Sequence, residues 1–479
     1  MQKTFYFVDG VQPNKTSQKL MRRHVMKGKN AGKKIHRPSR LGLRAKAIDA
    51  RDSNRENRPV GPHLPCNTVD RSFGHVILAA SLPTVEITPA SLETINQFFD
   101  LTTDRLCPVR LGISLDEVKY SWFQMLFTDE AGEFAHAHIH KDPSLSFLTS
   151  FPAYHCNLGL MQACNGIFLS DGNSPAKALY HLSQTFFRVQ ARLESDDALS
   201  DSTLGLVISL VLQEQIRNQL PAAQVHGRGL QRMIQLRGGL TQLEGNVGLV
   251  LRACKADIML ALQHGGPTMF FRDRMHEVWN IIASKGYDID HIPAANPVPG
   301  ESMDPHLLAI FSDAKKVCWL VNHNPDHPVL DYFVFEEVFV SLCYRLLRFR
   351  SLNDLRMQPD SQTTCYLGLL MFIMTTFFQI NRNRILEFAL LSLCFRDFID
   401  NKLHQPRDGS ALWVVIVSGI WNPGDVNFDQ IASQVRQFAQ QRGMDSWDHV
   451  QRYLCHFPWI QALHDEPGHN LWNRVLYTT

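Results

Sequence analysis

The sequence predicts an all-α fold, a large helical body preceded by a basic, largely disordered N-terminal arm. Three observations carry that prediction. Charge is divided unevenly: residues 1–60 hold 16 Lys and Arg against Asp9, Asp49, Asp52 and Glu56, a balance of +12, while the rest holds 32 basic and 42 acidic groups, a balance of −10, the two summing to the net +2 of the chain. Of the 479 residues 44% are hydrophobic, enough to bury one large core or two ordinary ones. Beyond about residue 75 the apolar residues recur at three- and four-residue spacing, and alternating strand-type runs are rare after residue 60.

The elements follow in order. Phe5 to Val8 is a short aromatic and β-branched run ended by the turn signal Asp9-Gly10. Leu20, Met21, Val25 and Met26 can line one side of a short helix with Arg22, Arg23 and Lys27 outside it, and Gly28 and Gly32 keep it brief. From Ile35 to Arg58 charge dominates and apolar residues are few, the composition of a segment disordered when unbound. Pro59, Pro62 and Pro65 mark a boundary, giving an arm over 1–65 and a body over 66–479.

Within the body, Leu179, Leu182, Phe186, Val189 and Leu193 form a first helical stripe. Leu204, Val207, Ile208, Val211, Leu212 and Ile216 form a second, and Val225, Leu230, Met233, Ile234 and Leu236 a third, stopped by Gly238-Gly239. Val247, Val250, Leu251, Cys254, Ile258 and Leu262 form a fourth, stopped by Gly265-Gly266-Pro267. Later helices are expected over 331–349, 362–380, 384–398 and 428–441. The run Thr363–Ile380 has the length and apolarity of a membrane span, but its four threonines and equally apolar neighbours favour a buried core helix and no membrane partner.

The chemistry-bearing residues point away from catalysis. Ten scattered cysteines and no secretory leader suit reduced thiols packed as small hydrophobes in a cytosolic or nuclear protein. His136, His138 and His140, with His155 and Cys156 downstream, lie among Gly, Pro and Ser and read as an exposed loop rather than a zinc centre. No GxSxG, P-loop, HExxH, CxxC or strand-borne GxGxxG occurs. The pairs Asp196-Asp197 and Glu336-Glu337 are expected to be solvated, since adjacent helical residues do not face one point. No catalytic, cofactor or metal site is predicted. The arm instead supplies Arg22, Arg23, Lys27, Lys29, Lys33, Lys34, Arg37 and Arg40, suited to a nuclear import receptor or to non-specific DNA contact through phosphates. Aromatics are missing between Phe7 and Phe73, so stacking on single strands finds no support.

Two stretches give the chain a family likeness. The first is Phe5-Tyr6-Phe7-Val8 followed by Arg22-Arg23-His24-Val25-Met26-Lys27-Gly28-Lys29-Asn30. The second is Tyr154-His155-Cys156-Asn157-Leu158-Gly159-Leu160, then Ala178-Leu179-Tyr180-His181, then His226 to Leu240, whose Leu236-Arg237-Gly238-Gly239 ending, with Asp257 and the Gly265-Gly266-Pro267 turn, is the most specific part. On these the chain resembles fungal-specific transcription-factor-like proteins with the second type of fungal transcription factor regulatory domain, over roughly residues 1–280. The resemblance implies an all-helical regulatory domain, no catalysis, a nuclear location and control of transcription, often of metabolic genes. It further implies a partner transcription factor or co-regulator, or a small effector between helices. One departure matters: the family's zinc cluster needs six cysteines opening with CxxC, and the first 65 residues contain none. Recognition of DNA through that module is excluded.

A second departure is the stretch 132–152. Related chains run from an acidic turn like Thr128-Asp129-Glu130-Ala131 directly into a helix like the one at Tyr154. Here Gly132 to Pro152 intervenes, either as a surface insertion or as a retained intron. Gly132-Glu133-Phe134 can be written GGT GAG TTC, containing the donor GTGAGT, and Pro152-Ala153 as CCA GCC, containing an acceptor CAG; splicing would be in frame and join Ala131 to Ala153. Two other classes of function remain open to the sequence. One is a cytoplasmic interaction scaffold whose arm binds anionic lipid or RNA. The other is a biosynthetic enzyme of unfamiliar type, which requires a concave pocket with paired titratable groups.

Overall fold

The computed structural model describes residues 189–289, 303–324, 329–357, 362–377, 386–402, 410–421 and 428–477, with isolated pieces at 93–94, 97–98, 111–113, 161, 186 and 291–292. Among the described residues there is no strand, and their fold is all-α. The arm residues Arg22, Arg23, Lys27, Lys29, Lys33, Lys34, Arg37 and Arg40, the histidines of 136–140 and the stretch 132–152 lie outside the described residues. So does the first apolar stripe, apart from Phe186 and 189–193, which are helical.

Side-chain caps fix where the helices begin. A 3-10 turn over Asp196–Leu199 opens on the Ser195 hydroxyl, which accepts from Asp197 N, and both aspartates of that turn are exposed, as expected. Helix α1 (Asp201–Ile216) is capped by the Ser200 hydroxyl, accepting from Thr203 N at 3.2 Å. Helix α2 (Leu220–Leu236) starts on Pro221 and folds back on α1 after a three-residue connection. Helix α3 (Val247–His264) starts where Asn246 accepts from Leu249 N at 3.1 Å. It stops at Gly265, whose left-handed φ of +78° closes the last turn by donating to Ala261 O at 2.8 Å. A side chain there is barred twice, by the backbone and by Leu390, whose Cδ2 would stand 2.2 Å from a Cβ.

Helices α4 (Met275–Ser284) and α5 (Pro305–His323) follow, the latter capped by Asp304, which accepts from His306 N at 2.8 Å. Helix α6 (Tyr332–Phe349) starts on Asp331, which accepts from Val334 N at 2.9 Å. After the single short turn of α7 (Leu352–Met357) come α8 (Thr363–Phe377), α9 (Ala389–Lys402), α10 (Ala411–Trp421), α11 (Phe428–Gln441), α12 (Trp447–Leu454) and α13 (Gln461–Tyr477).

Packing runs in a relay. The α1/α2 hairpin lies on α3, α3 on α6, α6 on α4, α5 and α8, α8 on α10, and α10 on α11 and α13. Helix α8 is the run weighed as a membrane span. Thr363 to Thr376 are all buried, and among the described residues no helix is long and apolar enough to cross a membrane. Helices α8 and α10 approach closely because Gly368 leaves room for the Trp413 ring, which a Cβ would meet at 2.1 Å. Trp413 is fully buried, donates from Nε1 to Pro458 O at 3.1 Å, and stacks on Phe457 at 5.2 Å. Helix α13 then closes this end: buried His464 places Nε2 3.0 Å from Thr375 Oγ1 of α8, and Leu471 packs where Gly419 of α10 leaves space.

Two expected boundaries shift. The helix expected over 384–398 is Ala389–Lys402, because 386–388 stays non-helical to reach the α1–α2 connection and α3. The Glu387 carboxylate accepts from Asn218 Nδ2 at 3.0 Å, and its carbonyl accepts from Gln263 Nε2 at 3.2 Å. The helix expected over 362–380 covers Thr363–Phe377, and 378–380 lie outside the described residues.

Candidate functional site

Polar groups converge at one place in the described body, where the ends of α2 and α3 and the loop 265–274 meet α6. The Leu236-Arg237-Gly238-Gly239 ending forms its outer corner. Gly238 N and Gly239 N donate to Gln235 O and Ile234 O at 3.1 and 2.9 Å, which terminates α2. Arg237 reaches back to the Asp201 carboxylate and to Leu199 O at 3.3 Å, and Asn246 Nδ2 donates to Asp201 at 3.0 Å. The arginine thus ties the end of α2 to the start of α1. Both ion-pair partners are about a quarter exposed (25% and 28%), so the pair stabilises by no more than about 1 kcal/mol.

Beneath the corner, Asp257 of α3 is 1% exposed. Its Oδ1 accepts from Met269 N at 2.8 Å and its Oδ2 from Phe270 N at 2.8 Å, so one carboxylate holds two consecutive amides of the loop. Tyr344 of α6 donates to Oδ2 from 3.0 Å, and its hydroxyl also lies 3.4 Å from Cys254 O. Burial pushes the Asp257 carboxyl up from 3.8 to about 6, outweighing the three donors, which pull the other way. Burial also raises the Cys254 thiol to about 12 and lifts the Tyr344 phenol well above its ordinary value.

Next along the loop, Arg272 forks between two carboxylates. It donates to Glu337 of α6, with Nε at 2.9 Å and Nη2 at 2.5 Å, and to Glu244 in the α2–α3 connection. Its side chain is 4% exposed, and these carboxylates hold its pKa above the ordinary arginine value although burial opposes them. Neighbouring Glu336 pairs instead with Lys255 of α3 at 2.6 Å. The expectation that Glu336 and Glu337 are solvated is therefore corrected: both are largely buried, on two cations. Adjacency does send them to different points, but both points are inside the body because α6 packs against α3 and α4 along a broad face.

On the loop's outer side, exposed Phe271 lies under the Arg348 guanidinium, 4.5 Å from ring centre to carbon. A separate space between α5, α6 and α8 is lined by apolar groups such as Val317, Phe335, Leu342 and Phe372, and has room for about 10 Å³, roughly one water. Of the six described cysteines, Cys254, Cys318, Cys343, Cys365 and Cys394 are buried, Cys455 is exposed, and none of the six is in a disulfide.

In this cluster each named carboxylate is occupied by backbone amides, a phenol or a cation, and none stands beside a nucleophile at an accessible cleft. Among the described residues no group of three His, Cys, Asp or Glu could hold a metal ion. What the cluster does chemically is latch a loop. Sequence reading picked out Arg237 and Asp257 but missed Arg272, Tyr344 and the loop amides, whose partners lie 12 to 87 positions away. The chain matches no family model, no curated protein and no solved structure.

Proposed function

We propose that this protein is a non-catalytic, nuclear, transcriptional regulator-like protein that works by binding a partner transcription factor, a co-regulator or a small effector. One observation carries the reading: a leader of charge +12 bearing the Phe5–Val8 and Arg22–Asn30 motifs precedes a body bearing the Leu236–Gly239 ending and Asp257. The arm delivers the protein to an import receptor and holds phosphates loosely, with log K falling by about 0.9 per contact against log salt. Sequence-specific DNA recognition comes from the partner, because the arm has no zinc-cluster cysteines. The step from helical body to regulation is an analogy with the family that the motifs resemble.

Two measurements test it. Residues 1–60 fused to a fluorescent reporter concentrate in the nucleus; a diffuse or membrane-bound signal overturns the nuclear reading in favour of a cytoplasmic scaffold on anionic lipid or RNA. Chromatin crosslinking of the tagged full chain finds discrete promoters. Enrichment that survives deletion of 1–60, once an independent import signal is supplied, marks recruitment through a partner. Loss of all enrichment in both forms sinks the proposal.

A further inference from the structure

The loop 265–274 is fastened by a buried acid whose surroundings accommodate it in either protonation state. With Asp257 ionised, its two oxygens accept from Met269 N, Phe270 N and the Tyr344 hydroxyl. With Asp257 protonated on Oδ2, that proton can go to the Tyr344 oxygen, and the phenolic hydrogen can turn to Cys254 O, 3.4 Å away. Rotation about one C–O bond therefore satisfies both states, and both loop amides keep an acceptor. We infer that Asp257, Tyr344 and the Cys254 carbonyl form a proton-responsive latch on the loop 265–274, closed most firmly in acid and loosened as the pH rises.

The direction follows from linkage. The carboxyl is held at about 6 in the closed latch, against 3.8 when solvated. The closed form thus binds the proton more tightly, and this contribution is complete below 3.8 and lost as the pH passes about 6. The facing groups do not reverse the sign. From α3 comes the neutral Cys254 thiol and from α6 the neutral Tyr344 phenol. Arg272 of the loop is neutralised by Glu337 and Glu244, and Lys255 by Glu336. Opening also displaces Phe271 from beneath Arg348, so the latch controls an exposed aromatic on the loop's outer side. This inference stands apart from the regulatory reading and survives its failure.

The test is residue-resolved hydrogen exchange on the full chain, with rates normalised to the intrinsic amide rate at each pH. Protection of Met269 and Phe270 is expected to fall about 30-fold between about pH 4.5 and 7.5, with amides of Leu369 to Phe372 in α8 unaffected. Asp257→Asn abolishes the fall. Tyr344→Phe keeps the fall but lowers protection at both ends, because the hydroxyl serves both states. Flat protection in the parent, or a parallel fall in α8, overturns the latch. A loss confined to high pH in Tyr344→Phe overturns the relay.

Discussion

Gly368→Ala probes the contact on which one end of the body depends. A Cβ at 368 would lie 2.1 Å from Trp413 Cζ3, while ordinary contact begins near 3.4 Å, so one group must retreat by the difference, about 1.3 Å. Neither can do so freely. Trp413 is fully buried, hydrogen-bonded to Pro458 O, stacked on Phe457 and edge-on to Phe311, while position 368 sits mid-helix in α8. Overpacking of this kind costs about 1–3 kcal/mol, and displacing the indole strains a hydrogen bond that contributes about 1 kcal/mol. Alanine returns about 1 kcal/mol in helix propensity. The net is a loss of about 2 kcal/mol, or a Tm lower by about 2–3 °C for a body of this size. Urea unfolding followed by tryptophan fluorescence measures it through a lower midpoint at unchanged slope. Trp413→Leu costs more on its own, by emptying the site, but adding Gly368→Ala to it is nearly free, giving a coupling energy above about 1 kcal/mol. A Gly368→Ala protein as stable as the parent, or strict additivity in the double variant, would show that the α8–α10 contact has slack at this point.

Three further outcomes follow from the same geometry and sequence. Arg272→Met strands Glu337 and lowers stability by about 2–4 kcal/mol, less than for a wholly buried pair because Glu244 is 35% exposed and keeps Arg274 at 3.4 Å. Glu337→Gln costs less, since Arg272 keeps Glu244, and denaturant midpoints in the reverse order would contradict this account. Among the six described cysteines, an aromatic disulfide reagent followed by peptide mapping labels Cys455 first, and Cys254 only on unfolding; early labelling of Cys254 would contradict its burial. Transcript reads across codons 131–153 will include a spliced class joining Ala131 to Ala153 if the stretch is a retained intron, and reads without any junction eliminate that alternative.

How much of this was legible beforehand depended on how local each signal is. Helix α11 was expected over 428–441 and spans those residues, because its apolar positions Ile431, Val435 and Phe438 alternate with polar ones at helical spacing. The end of α3 was legible for the same reason: the stripe and the stopping Gly265 are neighbours in sequence. Helix α10 offered no such periodicity. Ala411 to Trp421 is buried on every side and rich in β-branched residues, so no face stands out. The latch was half legible, with Asp257 picked out by family likeness alone. Its purpose rests on amides 12 and 13 positions away and a phenol 87 positions away, which no local pattern encodes. Glu336 and Glu337 were misjudged because pairing with Lys255 and Arg272 depends on which face of α6 turns inward.

The placement of α13 has a kinetic consequence. Thr375 meets His464 across 89 positions, and Gly419 receives Leu471 from the same late helix. The two greasiest segments, α8 and α10, therefore leave the ribosome well before their cover does. Over that interval they are a natural client surface for chaperones and a point of entry for aggregation. Variants that weaken α13 should reduce cellular yield out of proportion to any loss of equilibrium stability.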